Sequence, residues 1–205
     1  MVILGLTGSI GMGKTTTAGM LRLLGIPVFD ADACVHRLLA PGGAAAEAVA
    51  RAFPDCAVDG VPDRAKLGRC VFKDRGALTR LEAILHPFAA KARANFLRRQ
   101  RRAGAPVAVL DIPLLFETGG ERYCDAVIVV TAPPFVQRQR VLKRPGMTAE
   151  RFAAIRARQM TEREKVARAD FVVATGLGRG HSLKALKRIV RAVRHDPPRR
   201  AGRRR

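Results

Sequence analysis

Val2 to Thr7 is almost wholly apolar and lacks the alternation of a half-solvated strand. Bounded by Gly8, such a run predicts a short strand buried on both faces. Beyond Lys14 the apolar residues Ala18, Leu21 and Leu24 recur at helical spacing, and Gly25 is placed to end that helix. Four more short apolar runs follow: Ile26 to Phe29 ending at Asp30, Val107 to Leu110 ending at Asp111, Ala126 to Thr131, and Phe171 to Ala174. Helical patterns lie between them. Strands alternating with helices predict an α/β fold, a five-stranded parallel sheet covered by helices in a three-layer sandwich.

The intervals are unequal. Between the second and third strands, Leu78, Leu81, Leu85, Phe88, Ala92 and Phe96 recur at spacings of three and four, more chain than one crossover helix needs. This predicts an inserted helical subdomain, its long helix disturbed at His86-Pro87 because proline lacks an amide donor and restricts the residue before it. A second excursion, Gln137 to Arg168, is rich in arginine and predicts a mobile basic flap, with Thr148 capping a helix that carries Phe152, Ile155 and Met160. Ser182 is placed to cap a last helix with apolar positions Leu183, Leu186, Ile189, Val190 and Val193. Residues 1–196 read as one domain. Its core is about 1–30, 104–136 and 169–195, the helical insertion about 31–103 and the lid about 137–168; residues 197–205 form a disordered basic tail.

Composition changes this picture little. Hydrophobic residues make up 48% and aromatics 5% of 205 residues, so the core is aliphatic. Cys34, Cys56, Cys70 and Cys124 are far apart, with no C-x-x-C pair, and read as free thiols. The first apolar run is too short for a membrane span and has no basic leader before it, which points to a cytoplasmic protein. The net charge of +21 invites a nucleic-acid partner, but the arginines are scattered through nearly every segment, and polyanionic small substrates account for them as well.

The chemistry begins at Gly8-Ser9-Ile10-Gly11-Met12-Gly13-Lys14-Thr15, which fits G-x-x-x-x-G-K-[ST] between a strand and a helix. In that setting successive amides turn inward to phosphate oxygens and the helix N-terminus adds its positive end. Lys14 then acts as a point charge on the β and γ phosphates and Thr15 offers a hydroxyl to Mg²⁺, which establishes nucleotide binding but not the acceptor. Asp30 and Asp32 follow the second strand. Asp32 has two readings, a base taking a proton from an attacking hydroxyl or the cap of a helix beginning near Ala33. Asp111 closes VAVLD and either holds magnesium through water or fixes its own loop. Gln137, Arg140 and Arg144 share one helical face, which reads as a lid surface neutralising a transferring phosphoryl group or as a solvated basic face.

Taken in order, LTGSIGMGKTT, VFDAD, DRAKLGRCVF, Leu85-His86-Pro87, DIPLLFE at Asp111 to Glu117, the Gln137/Arg140/Arg144 face and Ala169-Asp170 resemble the dephospho-coenzyme A kinase family over residues 1 to about 176. The resemblance implies transfer of the ATP γ-phosphoryl group to the ribose 3′-hydroxyl of dephospho-coenzyme A. It implies Asp32 as general base, Gly11, Met12, Gly13, Lys14, Thr15 and Thr16 on ATP, Arg140 as the lid arginine, and an insertion carrying His86 that receives the acceptor. At Ala174-Thr175-Gly176 the chain departs from the asparagine-containing turn usual in the family, so no adenine contact is carried over there.

Overall fold

The structure is a computed structural model and describes residues 1–198. Of the tail expected over 197–205, residues 199–205 lie outside the described residues. In chain order the elements are β1 (Val2–Thr7), α1 (Lys14–Leu23), β2 (Val28–Asp30), α2 (Ala31–Leu39), α3 (Ala46–Ala52), β3 (Ala57–Val58), β4 (Val61–Pro62), α4 (Arg64–Lys73), α5 (Arg75–Arg102), β5 (Val107–Asp111), β6 (Ala126–Thr131), α6 (Pro134–Leu142), α7 (Ala149–Ala157), α8 (Glu162–Ala167), β7 (Phe171–Ala174) and α9 (Arg179–His195). The chain divides into two compact units, one of Met1–Phe29 with the chain from Gln100 onward, the other of Asp30–Arg99.

The first unit is built on a parallel sheet of order β2-β5-β1-β6-β7. The central strand pairs in register with both neighbours, Leu4 opposite Val109 on one side and Ala126 on the other. Every residue of β1 and of β5 is buried, which explains their unbroken apolar runs. On one face, Leu4, Leu6, Val109 and Ile128 pack with Ala18 and Leu21 of α1 and with Leu186, Ile189, Val190 and Val193 of α9. The chain leaves β1 toward β2, returns to β5, then crosses to β6. β1 is therefore the switch point, and in such sheets ligands bind beyond the carboxyl ends of the strands there.

Helix α1 ends as its sequence predicts. Gly25 takes φ 73, Ile26 N–H reaches Leu21 O at 3.0 Å and Gly25 N–H reaches Arg22 O at 2.9 Å, the paired bonds of a Schellman cap. Of two other expected caps, one is corrected and one holds. Ser182 is not the cap of α9, which starts three residues earlier after Gly178; its buried hydroxyl instead donates to Ala174 O at 3.1 Å and ties the helix to β7. Thr148 does cap α7, accepting from Arg151 N–H.

The second unit has its own core of Leu39, Val49, Phe53, Leu67, Leu81 and Leu85 beside the small β3–β4 hairpin. The disturbance expected at His86-Pro87 does not interrupt α5, which continues through both residues. Proline removes one ladder bond and crowds the carbonyl four residues back. Leu81 and Leu85 are buried in that core and Ile84 and Phe88 pack on it, so tertiary burial holds the turns on both sides of the defect. All four cysteines are free: Cys34, Cys56 and Cys124 are buried and Cys70 is half-buried. Among the described residues no helix is long and apolar enough to cross a membrane.

Candidate functional site

Beyond the carboxyl end of β1 the chain turns through Gly8 to Gly13 and enters α1 at Lys14. Gly13, at φ 87, is the N-cap, and a Cβ there would lie 2.9 Å from Thr175 Oγ1. Gly11, at φ 78, would meet Val141 Cγ2 at 2.5 Å. Both glycines are thus required twice, for left-handed backbone and for close approach by α6 and the end of β7. Helix α1 has no acidic residue in its first turn and no side-chain cap, so its N-terminal amides are left for an anion.

Lys14 Nζ lies 2.7 Å from Asp111 Oδ1 at the end of β5, with Asp111 only 2% exposed. The adjacency of β1 and β5 makes this pairing: Leu6 stands opposite Asp111 in the register, so residues just beyond both strand ends share one edge. Asp111 therefore fixes the lysine ammonium at the mouth of the glycine loop. Thr15 and Thr16 are exposed in the first turn of α1, and no hydrogen bond of either hydroxyl occurs among the described residues. An unengaged hydroxyl beside a lysine at a helix start is the hard oxygen donor that Mg²⁺ prefers. No group of three or more His, Cys, Asp or Glu that could hold a metal occurs among the described residues, and a magnesium ion commonly completes its shell with phosphate oxygens and water.

Two members of the expected lid face are here. Gln137 is buried on α6 and donates from Nε2 to Ile10 O at 2.7 Å, while Arg140 donates to Thr175 Oγ1 and to Thr175 O, both at 2.9 Å. Arg144 does not join them. It lies past the end of α6 and is exposed. Thr175, noted in the sequence only as a departure from family pattern, is a hub: its hydroxyl is also 2.8 Å from Met12 O and 3.1 Å from Thr131 O. Arg140 is thereby set against the glycine loop with further N–H donors left over. Nothing in the polarity pattern marks Thr175, because its partners come from three other segments.

The segment after α6, expected as part of a basic flap, makes specific contacts to the same region. Gln159 Oε1 accepts from Ile10 N–H at 3.0 Å, and Glu117 Oε1 accepts from Met160 N–H at 2.9 Å. Lys165, fully buried on α8, brings Nζ to 2.8 Å from the same Glu117 oxygen. That approach is off the line of a hydrogen bond, so it is a close ion pair only. Sequence reading missed Gln159 and Lys165; a lysine in a helix otherwise rich in charge carries no sign of burial.

Asp30 and Asp32 belong to the other unit. Helix α2 starts at Ala31, not near Ala33, and its N-cap is Asp30, whose Oδ1 accepts from Ala33 N–H at 2.9 Å. Asp32 sits one turn position inside, exposed, with no hydrogen bond recorded for its carboxylate among the described residues. The capping alternative for Asp32 is therefore corrected: Asp30 does that work. His86 is exposed on α5, beside the buried Leu85.

One cavity borders the glycine loop and a second lies beyond the ends of β6 and β7. The first, of about 360 Å³, is walled by Ser9, Met12, Gln137, Arg156 and Gln159, the second, of about 440 Å³, by Thr131, Pro133, Pro134, Gly176 and Leu177. Glu162 lines both. Burial pushes its carboxyl above the ordinary value, opposed by the Ala132 amide and the Arg156 guanidinium.

Comparison with known proteins gives a consistent result. A family model described as dephospho-CoA kinase matches residues 2–177. The chain is 58% identical over 198 residues to a dephospho-CoA kinase of Paramagnetospirillum magneticum, covering 97% of this chain and 93% of that one. It is 51% identical over 200 residues to one of Rhodopseudomonas palustris, covering 98% and 100%. Among solved structures it is similar to TT1252 from Thermus thermophilus, with TM-score 0.82 and 38% identity over 93% of this chain and 96% of that one. A dephospho-CoA kinase from Campylobacter jejuni, at TM-score 0.70 and 23% identity over 94% and 97%, shares the fold.

Proposed function

The chain belongs to the dephospho-CoA kinase family, whose activity is the final step of coenzyme A biosynthesis, and from that premise we propose how its residues divide the work. ATP lies with its phosphates in the glycine loop, held by the amides of Gly11, Met12, Gly13, Lys14, Thr15 and Thr16. The observation that carries this reading is the Lys14 ammonium, fixed 2.7 Å from the buried Asp111 where the loop meets α1. A lysine held there stabilises negative charge on the β and γ phosphates and needs little reorganisation as that charge develops. Thr15 contributes its hydroxyl to Mg²⁺, which supplies charge neutralisation between the phosphates when bound.

The acceptor is dephospho-CoA, received by the helical insertion that carries His86, and its ribose 3′-hydroxyl is the nucleophile. Asp32 takes the hydroxyl proton as the oxygen bonds to the γ phosphorus and the bond to the β–γ bridging oxygen breaks, so that ADP leaves. An exposed carboxylate relieved of capping by Asp30 suits that role. Arg140, held by Thr175, directs its remaining donors toward the transferring group.

The test is phosphoryl transfer from ATP to dephospho-CoA, followed by coenzyme A formation, in the wild type and in Lys14→Ala. The wild type is expected to form the 3′-phosphate, and the variant to fold but lose on the order of 10²-fold or more in kcat, the scale of removing a preorganised electrostatic contact. Near-normal turnover in a folded Lys14→Ala would remove the lysine from the mechanism.

A further inference from the structure

Ile10, at the apex of the glycine loop, is gripped on both sides of its backbone: its carbonyl accepts from Gln137 and its N–H donates to Gln159 Oε1 at 3.0 Å. The second grip depends on where Gln159 is held. It lies between α7 and α8, and its neighbour Met160 donates its amide to Glu117 Oε1 at 2.9 Å. Glu117 belongs to the segment after β5 that begins at Asp111, the residue that fixes Lys14. Thr161 then caps α8 through a reciprocal box with Glu164, so the joint is pinned on its far side as well.

The Glu117–Lys165 pair at this joint is an expensive way to pack a helix. Lys165 is fully buried, and Glu117 Oε2 is buried with no hydrogen-bond partner among the described residues. Apolar side chains of similar volume would hold α8 as well or better. What they would lack is a directed acceptor for the Met160 amide, and through it a fixed direction for Gln159. The acceptor at Ile10 is also neutral, which keeps negative charge away from the phosphates expected at the loop.

We propose that Gln159 is a positioning residue for ATP, orienting the Ile10 peptide of the phosphate loop, and that the buried Glu117–Lys165 pair holds Gln159 in place through Met160. Neither group touches the reacting atoms. Their effect is on nucleotide affinity through preorganisation of the loop. The proposal rests on phosphates binding at this loop. A wild type unable to phosphorylate dephospho-CoA removes that reading, whereas an active wild type with an unaltered Gln159→Met removes only this one.

The experiment measures melting temperature, the Kd of ATP and both KM values. Gln159→Met, which keeps the volume and loses the acceptor, is expected to raise the Kd and KM of ATP about three- to tenfold, the worth of one neutral hydrogen bond, with KM for dephospho-CoA within about twofold. Gln159→Glu keeps an acceptor but sets charge beside the phosphates, so its ATP defect should shrink as salt is raised. The Glu117→Met/Lys165→Met double variant should be at least as stable as wild type and carry the Gln159→Met defect, with nothing added when the three changes are combined. Glu117→Gln/Lys165→Met, which restores an acceptor to Met160, should regain wild-type ATP affinity. Unchanged ATP affinity in Gln159→Met overturns the positioning role, and strictly additive effects, or no rescue by glutamine at 117 in a folded protein, overturn its anchoring by the buried pair. Should the methionine pair not fold, the two Gln159 variants still decide the first point.

Discussion

At the scale of single residues the two aspartates after β2 are the sharpest case. Asp30 caps α2 and Asp32 does not, a difference of two positions that gives Asp30 the structural task and, in the proposed mechanism, leaves the chemical one to Asp32. An asparagine keeps an oxygen acceptor and caps nearly as well as aspartate, but it takes no proton near neutral pH. Asp32→Asn is therefore expected to keep its melting temperature and ATP affinity and to lose on the order of 10²-fold in kcat, while Asp30→Asn stays close to wild type in both. Asp30→Ala, which removes the cap, should cost about 1 kcal/mol of stability. Thermal melts and turnover on the three proteins check this, and an inactive Asp30→Asn beside an active Asp32→Asn would reverse the assignment.

At the scale of elements, the short helix α8 shows how a segment of six residues is kept helical. Its capping box lowers the pKa of Glu164 below the ordinary 4.5, chiefly through the Thr161 hydroxyl and then the Thr161 amide. A carboxylate depressed in the folded state adds stability above its unfolded pKa and loses it as pH falls through the folded one. Glu164→Ala should accordingly melt below wild type at neutral pH, and the gap should narrow as the pH drops beneath 4.5. Melting curves across the acidic range test it; a gap of constant size would mean that the charge of Glu164 does not hold the cap. The element boundaries themselves show the limit of periodicity. Leu186, Ile189, Val190 and Val193 mark the buried face of α9, yet they do not say that the helix begins before Ser182, because the first turn carries too few apolar residues to declare itself.

At the scale of the whole molecule the net charge of +21 meets substrates that carry several phosphates. A basic field concentrates such ligands, and salt weakens it. KM for both ATP and dephospho-CoA is expected to rise several-fold between about 0.05 M and 0.5 M monovalent salt, with kcat changing by less than about twofold. A KM flat across that range would assign the charge to something other than substrate capture. The fold explains why one site gathers distant residues: β1 pairs with both β5 and β6, so Lys14 after the first strand meets Asp111 at the end of the fifth.

The sequence by itself determined the five strands, the glycine loop with its lysine, the cap at Gly25 and the presence of a helical insertion, because each is written in a short window through burial period or backbone requirement. Only tertiary structure decided that Lys14 is held by Asp111, that Thr175 joins Arg140 to Met12, that Gln159 grips Ile10, and that α5 passes through Pro87. Each of those depends on which strands lie side by side and on what a packed neighbour supplies or tolerates. Periodicity along the chain reports which face of an element is buried, and it carries no record of the partner buried against it.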